Sequence, residues 1–224
     1  MLNHTETKKK SNLLNVYKRF PVSFTHGFGT KLYDEDGKEY TDFLSGIGVN
    51  AFGHNNLVIK EFVREQLDKY WHVSNLFEIE LQEELSNKLF SYSGLSNVFF
   101  SNSGTEANEA AIKFARLWGK GRFEIITAID SFHGRTFGSL SATGQFNLWK
   151  DFKPILPGFK YVTFNDIDAI KNNITENSVA VMLEVIQGEG GINIPDENYL
   201  LEVEKICREN DLLLIIDEIQ SGMG

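Results

Sequence analysis

Apolar residues recur along this chain at two spacings, and the change from one to the other divides it. Across residues 57–70, Ile59, Phe62, Val63 and Leu67 fall on one face of a helix, and across 79–90 the rhythm returns through Leu81, Leu85 and Leu89. Two short strand patterns come earlier, at 31–34 and 38–43, with Asp36-Gly37 between them as a hairpin turn signal because glycine accepts positive φ. Farther on, continuous apolar runs at 98–100, 125–128, 161–164, 179–183 and 212–216 predict buried strands. Between them, 105–118 predicts a helix with Ala107, Ala110, Ala111, Phe114, Ala115 and Trp118 on its inner face. Asp196 predicts the cap of a helix carrying Tyr199, Leu200, Val203, Ile206 and Cys207.

Apolar strands alternating with amphipathic helices define an α/β layer around a mainly parallel sheet. Ligands of such sheets bind beyond the carboxyl ends of the strands, so chemistry is to be sought just after each strand. The expected organisation is an N-terminal hairpin and helix portion over residues 1–60, then a larger strand–helix domain over 61–224. The last apolar strand lies almost at Gly224, which suggests a fragment of a larger sheet.

Composition narrows the partners. The 224 residues carry a net charge of −9, which argues against nucleic acid, and no apolar run is long enough to predict a membrane span. Cys207 is the single cysteine, so no intrachain disulfide forms and a reducing, cytoplasmic setting is expected. Lys8, Lys9 and Lys10 have no apolar stretch after them and read as a solvated terminus rather than a signal peptide.

Four post-strand segments hold the candidate chemistry. In Ser101-Asn102-Ser103-Gly104-Thr105-Glu106-Ala107-Asn108, a helix N-terminus offers free N–H groups and a positive dipole end to an anion. Gly104 permits close approach, and Ser103 and Thr105 add hydroxyls. The same residues read equally well as a Ser/Thr helix cap. No Walker lysine loop and no GxGxxG are present, so a monophosphate suits the segment better than a nucleoside triphosphate. In Asp130-Ser131-Phe132-His133-Gly134-Arg135-Thr136, Phe132 could stack on a flat ligand and Arg135 could fork a carboxylate. Taken singly, they are a core aromatic and an ion-pair partner. In Glu184-Val185-Ile186-Gln187-Gly188-Glu189-Gly190-Gly191, the glycines permit an irregular turn expected to expose Gln187 and Glu189, or simply a solvated connection. In Asp217-Glu218-Ile219-Gln220, the acid could be a magnesium ligand or the partner of a ring nitrogen. An anion cup, a stacking aromatic, a ring-nitrogen acid and a nearby amide together fit pyridoxal 5′-phosphate; no metal is expected.

With these segments the chain resembles the class III pyridoxal-phosphate-dependent aminotransferases. Further matching stretches are Tyr17-Lys18-Arg19-Phe20-Pro21, Leu32-Tyr33-Asp34-Glu35-Asp36-Gly37, Asp42-Phe43-Leu44-Ser45-Gly46-Ile47-Gly48-Val49-Asn50 with Gly53-His54, Ser74-Asn75-Leu76-Phe77, and Asp-Glu-Ile-Gln-Ser-Gly-Met-Gly at the end. The resemblance implies the large domain of a fold-type-I pyridoxal-phosphate transferase, incomplete here. It also implies that Ser103, Gly104 and Thr105 hold the phosphate and that Phe132 stacks on the ring. Asp217 would pair with the ring nitrogen, Gln220 would reach the ring hydroxyl, and Glu184 would support these surroundings. Arg135 would take the substrate α-carboxylate, and Glu189 would lie near the substrate. The family's Schiff-base lysine follows the Asp-Glu-Ile-Gln segment, so it is expected beyond Gly224, with no catalytic residue in this chain. The implied reaction moves the δ-amino group of N-acetylornithine to 2-oxoglutarate, giving glutamate, in a homodimer. Alternatives are another ω-amino donor, such as ornithine or 4-aminobutyrate, or a non-catalytic split fragment.

Overall fold

The computed structural model describes residues 12–223. The lysine run at Lys8, Lys9 and Lys10 lies outside the described residues. The chain divides into two compact units, Met1–Phe77 and Glu78–Gly224.

In the first unit, β1 (Phe24–Phe28), β2 (Lys31–Asp34) and β3 (Glu39–Thr41) form an antiparallel sheet in that order. The predicted hairpin is there, with Gly37 at φ 76°. Asp34 organises its turn: Oδ1 accepts the N–H groups of Asp36 and Lys38 at 3.0 and 2.9 Å, and Oδ2 accepts the Tyr40 hydroxyl at 2.9 Å. β1 gave no apolar run in the sequence, because His26 and Gly27 interrupt it. A Cβ on Gly27 would come within 2.9 Å of both the His54 ring and the Lys31 carbonyl. Helix α1 (Leu57–Leu67) begins where the periodicity placed it, with Asn56 accepting the N–H groups of Val58 and Ile59. It ends three residues before the predicted Tyr70.

The second unit opens with α2 (Glu80–Ser93), closed by Gly94 at φ 69°. After it come α3 (Gly104–Trp118), β4 (Glu124–Ala128), α4 (Phe137–Ala142), α5 (Phe146–Trp149) and a 3-10 turn at Lys150–Phe152. The remainder is β5 (Phe159–Val162), α6 (Ile167–Asn173), β6 (Ser178–Glu184), α7 (Tyr199–Glu209) and β7 (Leu213–Asp217). The four strands are all parallel, in the order β5-β4-β6-β7. β6 is buried along its whole length, as expected of a strand covered on both faces. Alternate residues serve opposite faces. Ile126, Val181 and Leu183 pack with Ile170 of α6 and with Val203, Ile206 and Cys207 of α7. Ile125, Ala180 and Met182 pack with Ile112 and Ala115 of α3.

Several expectations are corrected. Residues 98–100 form no strand: none among the described residues pairs with them, and Phe99 and Phe100 are exposed. The buried stripe of α3 is Asn108, Ile112 and Ala115, with Phe114 and Trp118 exposed. Its many alanines displaced the apparent apolar centre by about a residue. Asp196 does not cap α7. Asn198 stands at that position without a side-chain bond, and the Asp196 carbonyl accepts the Tyr199 N–H. The predicted strand at 161–164 begins two residues earlier, at Phe159. Helices α4 to α6 are additions; α6 has a clear cap, Asp166, which accepts the Ala169 N–H at 2.9 Å.

Candidate active site

The post-strand segments converge at the carboxyl ends of β4, β6 and β7, against the N-terminus of α3. Asp217 is the last residue of β7 and is buried. Its Oδ2 accepts the Asn108 amide at 2.8 Å and pairs with His133 Nδ1 at 2.8 Å; its Oδ1 accepts the Ile219 N–H at 3.0 Å. Burial pushes this carboxyl up, but the His133 hydrogen bond and charge, with the Ile219 and Asn108 donors, outweigh it and hold Asp217 below the usual carboxylate range. His133 is itself buried, with Nε2 3.2 Å from the Thr127 hydroxyl.

Glu184, ending β6, accepts the Phe132 N–H at 3.1 Å. Burial raises its pKa; the His133 charge and two backbone N–H groups oppose that rise, and nearby Asp217 adds to it. Two carboxyls in one pocket are therefore driven apart, Asp217 toward the anion and Glu184 toward the acid. In the loop after β4, which touches both acids through Phe132 and His133, the Arg135 guanidinium lies 5.6 Å from the centre of the Phe132 ring. Arg135 is exposed and Phe132 is half-buried.

At the start of α3, Ser103 has extended backbone and its Oγ accepts the Glu106 N–H at 3.3 Å. The cap reading thus holds for Ser103. The N–H groups of Gly104 and Thr105 have no protein acceptor among the described residues and remain available to an anion. Gly104 is needed because a Cβ would lie 2.7 Å from Ile219 in the Asp217 loop. The Thr105 hydroxyl is bonded to Thr136 at 2.9 Å and Ser139 at 2.5 Å. Glu109, one turn on, accepts the Thr136 hydroxyl at 2.5 Å and the N–H groups of Gly138 and Ser139 at 2.8 and 3.0 Å. Gly134, at φ 137°, lets this contact form, since a side chain there would strike Thr105 and Ser139.

Gln187 is buried rather than exposed. Its Nε2 donates to the Ile129 carbonyl at 2.8 Å and its Oε1 accepts the Asn193 amide at 2.9 Å, so it closes the glycine turn from inside. Glu189 is exposed and makes no hydrogen bond or ion pair among the described residues. Gln220 lies against Gly188, where a Cβ would collide with its amide. Sequence reasoning missed Asn108 and Glu109. Asn108 did leave a signal: a polar residue on the stripe shared by Ile112 and Ala115 needs a buried partner.

The family model for aminotransferase class-III matches residues 14–224. The chain belongs to the class III aminotransferases, whose cofactor is pyridoxal 5′-phosphate. It is 51% identical over 217 residues to an acetylornithine aminotransferase of Aquifex aeolicus, covering 95% of this chain and 58% of that protein. Among solved structures it is similar to the ornithine aminotransferase of Toxoplasma gondii ME49, at TM-score 0.90 and 30% identity, covering 95% of this chain and 52% of that one. It is also similar to the N-acetylornithine aminotransferase of Stenotrophomonas maltophilia K279a, at TM-score 0.79 and 36% identity, covering 93% and 53%. The chain thus spans just over half the length of these relatives.

The residues present fit the cofactor. Two free N–H groups at a helix end suit a phosphate. Asp217 Oδ1, with one donor, has a lone pair left for a ring N–H. Phe132 presents a partly open aromatic face.

Proposed function

We propose that this chain supplies the cofactor half of an aminotransferase acting on N-acetylornithine and 2-oxoglutarate, in a cytoplasmic homodimer serving arginine biosynthesis. The observation that carries the reading is Asp217, a buried carboxylate held anionic at a strand end beside a helix N-terminus with two unused N–H groups. Ser103, Gly104 and Thr105 hold the phosphate, Phe132 covers the ring and Gln220 reaches its hydroxyl. Asp217 keeps the ring nitrogen protonated, and Glu184 supports the stacking loop through the Phe132 N–H. When bound, pyridoxal phosphate supplies an electron sink for charge developing on the substrate carbon. Arg135, exposed beside the Phe132 ring, takes the substrate α-carboxylate, with Glu189 nearby. The δ-amino donor rests on the Aquifex relative's name and on the solved Stenotrophomonas enzyme.

The test is a donor panel of N-acetylornithine, ornithine and 4-aminobutyrate with 2-oxoglutarate. It is run on this chain alone and on this chain co-expressed with the rest of the Aquifex relative. We expect no turnover from the chain alone, since the cofactor lysine of the family follows the Asp217 segment. We expect N-acetylornithine to be preferred in the combined protein. Preference for 4-aminobutyrate or ornithine would replace the donor; turnover by the chain alone would refute the placement of the lysine.

A further inference from the structure

We propose that Asn108 is a positioning residue that gauges the site. It fixes Asp217 one helical turn from the anion-binding end of its own helix, and so favours a ligand whose phosphate and protonated ring nitrogen match that span. The inference rests on the cofactor reading above and adds a residue which that reading does not use.

Asn108 lies three to four residues beyond the free N–H groups of Gly104 and Thr105. At a rise of about 1.5 Å per residue, that is about 5 Å along the axis. An asparagine inside a helix competes with the backbone for hydrogen bonds and is a poor helix former unless its amide is used. Here both amide N–H groups are used: Asn108 is buried, and Nδ2 donates to the His133 carbonyl at 2.7 Å and to Asp217 Oδ2 at 2.8 Å.

The consequence falls on Asp217. Oδ2 receives both Asn108 and His133, which fills its two lone pairs. Oδ1 receives only the Ile219 N–H. One amide therefore decides which carboxylate oxygen is left for an incoming ring N–H. Through the His133 carbonyl it also fixes the backbone that carries Phe132 and Arg135. His133 alone would hold Oδ2 by a single bond and leave the carboxylate freer to turn. α3 would then carry the anion cup with no hydrogen bond to the acid, only the packing of Gly104 against Ile219.

The test measures binding of two probes to the intact chain by calorimetry. The first is inorganic phosphate. The second is 4-deoxypyridoxine 5′-phosphate, which keeps the ring nitrogen and phosphate but has no aldehyde to react with surface lysines. Wild type is compared with Asn108→Ala and with Asn108→Ser, which keeps a small polar group but cannot donate twice. The expected result is unchanged phosphate affinity and a loss of about tenfold or more for the pyridine phosphate, as for one hydrogen bond to a charged group. An equal loss for both probes, or none for either, overturns the proposal. If wild type binds phosphate but not the pyridine phosphate, the cofactor reading fails instead. The positioning claim is then decided on the unliganded protein by the NMR resonance of the His133 Nδ1 proton. It should shift in Asn108→Ser while core resonances stay in place, and an unmoved signal overturns the claim.

Discussion

Asp217 and Glu184 show at the scale of single residues how one pocket holds two acids with opposite tendencies. Asp217 is lowered in the fold, so its stabilising contribution is complete above its unfolded pKa of about 3.9 and is lost as pH falls through the folded value. Glu184 is raised, so its contribution is complete below about 4.3 and is lost as pH rises through the folded value. Urea unfolding over a pH series should therefore show Asp217→Asn less stable than wild type at neutral pH, with the gap closing in acid. For Glu184→Gln, the variant should gain on wild type as pH rises from the acid side. Gaps that stay constant with pH would show that neither carboxyl is shifted as described. Arg135 belongs to the same scale. If it grips the α-carboxylate, Arg135→Lys in the combined protein should raise KM for the amino donor by about tenfold or more, since lysine cannot make the bidentate fork. Cofactor absorbance should stay as it is, and an unchanged KM would make Arg135 a partner of Phe132 alone. Two of the site's ends were legible from strand positions, Phe132 just after β4 and Asp217 ending β7, whereas Gly104 opens α3 with no strand before it. Their connections were not legible, because Asn108, His133 and Glu109 act through contacts between segments far apart in the chain.

Elements were read well wherever burial on both faces left a continuous apolar run. β4, β6 and β7 each lie within about a residue of their sequence patterns, and the 2-residue alternation of β4 and β6 between the α3 side and the α6–α7 side explains why both faces had to be apolar. Residues 98–100 have the same composition and no ladder, which shows that an apolar triplet becomes a strand only where a neighbour supplies hydrogen bonds. The short helices α4 to α6 escaped notice because they are too short to show periodicity; α6 is set by its Asp166 cap and α4 by Glu109 at its first N–H groups. Two substitutions measure these contributions. Leu183→Ala, fully buried near the carboxyl end of β6, should cost about 2–5 kcal/mol by leaving a cavity between the sheet and α7. Glu109→Ala should cost about 1–3 kcal/mol, because the Thr136 hydroxyl and two N–H groups at the start of α4 lose their acceptor. Denaturation midpoints check both. A cost under about 0.5 kcal/mol for Glu109→Ala would show that water replaces it, as at ordinary surface sites.

For the molecule as a whole, the telling fact is how much amphipathic surface has no cover. Neither α1 nor α2 has a buried residue, although both carry apolar stripes with helical spacing, including Phe62 and Val63 on one and Leu81 and Leu85 on the other. Phe99, Phe114 and Leu117 are exposed as well. β7 closes the strand order, so one side of it offers a row of ladder groups without a strand partner among the described residues. Stable monomers rarely expose contiguous apolar patches beyond a few hundred Å², and bare parallel edges invite pairing with another chain. The relatives it matches are nearly twice as long. We therefore expect the isolated chain to bind an apolar dye such as ANS in its native state, and to sediment as larger species as its concentration is raised. Co-expression with the remaining part of the Aquifex relative should reduce dye binding and give a single assembly that retains pyridoxal phosphate on dialysis. A chain that stays monomeric and dye-free across a dilution series would show that the apolar stripes of α1 and α2 are covered in solution by contacts within the chain itself.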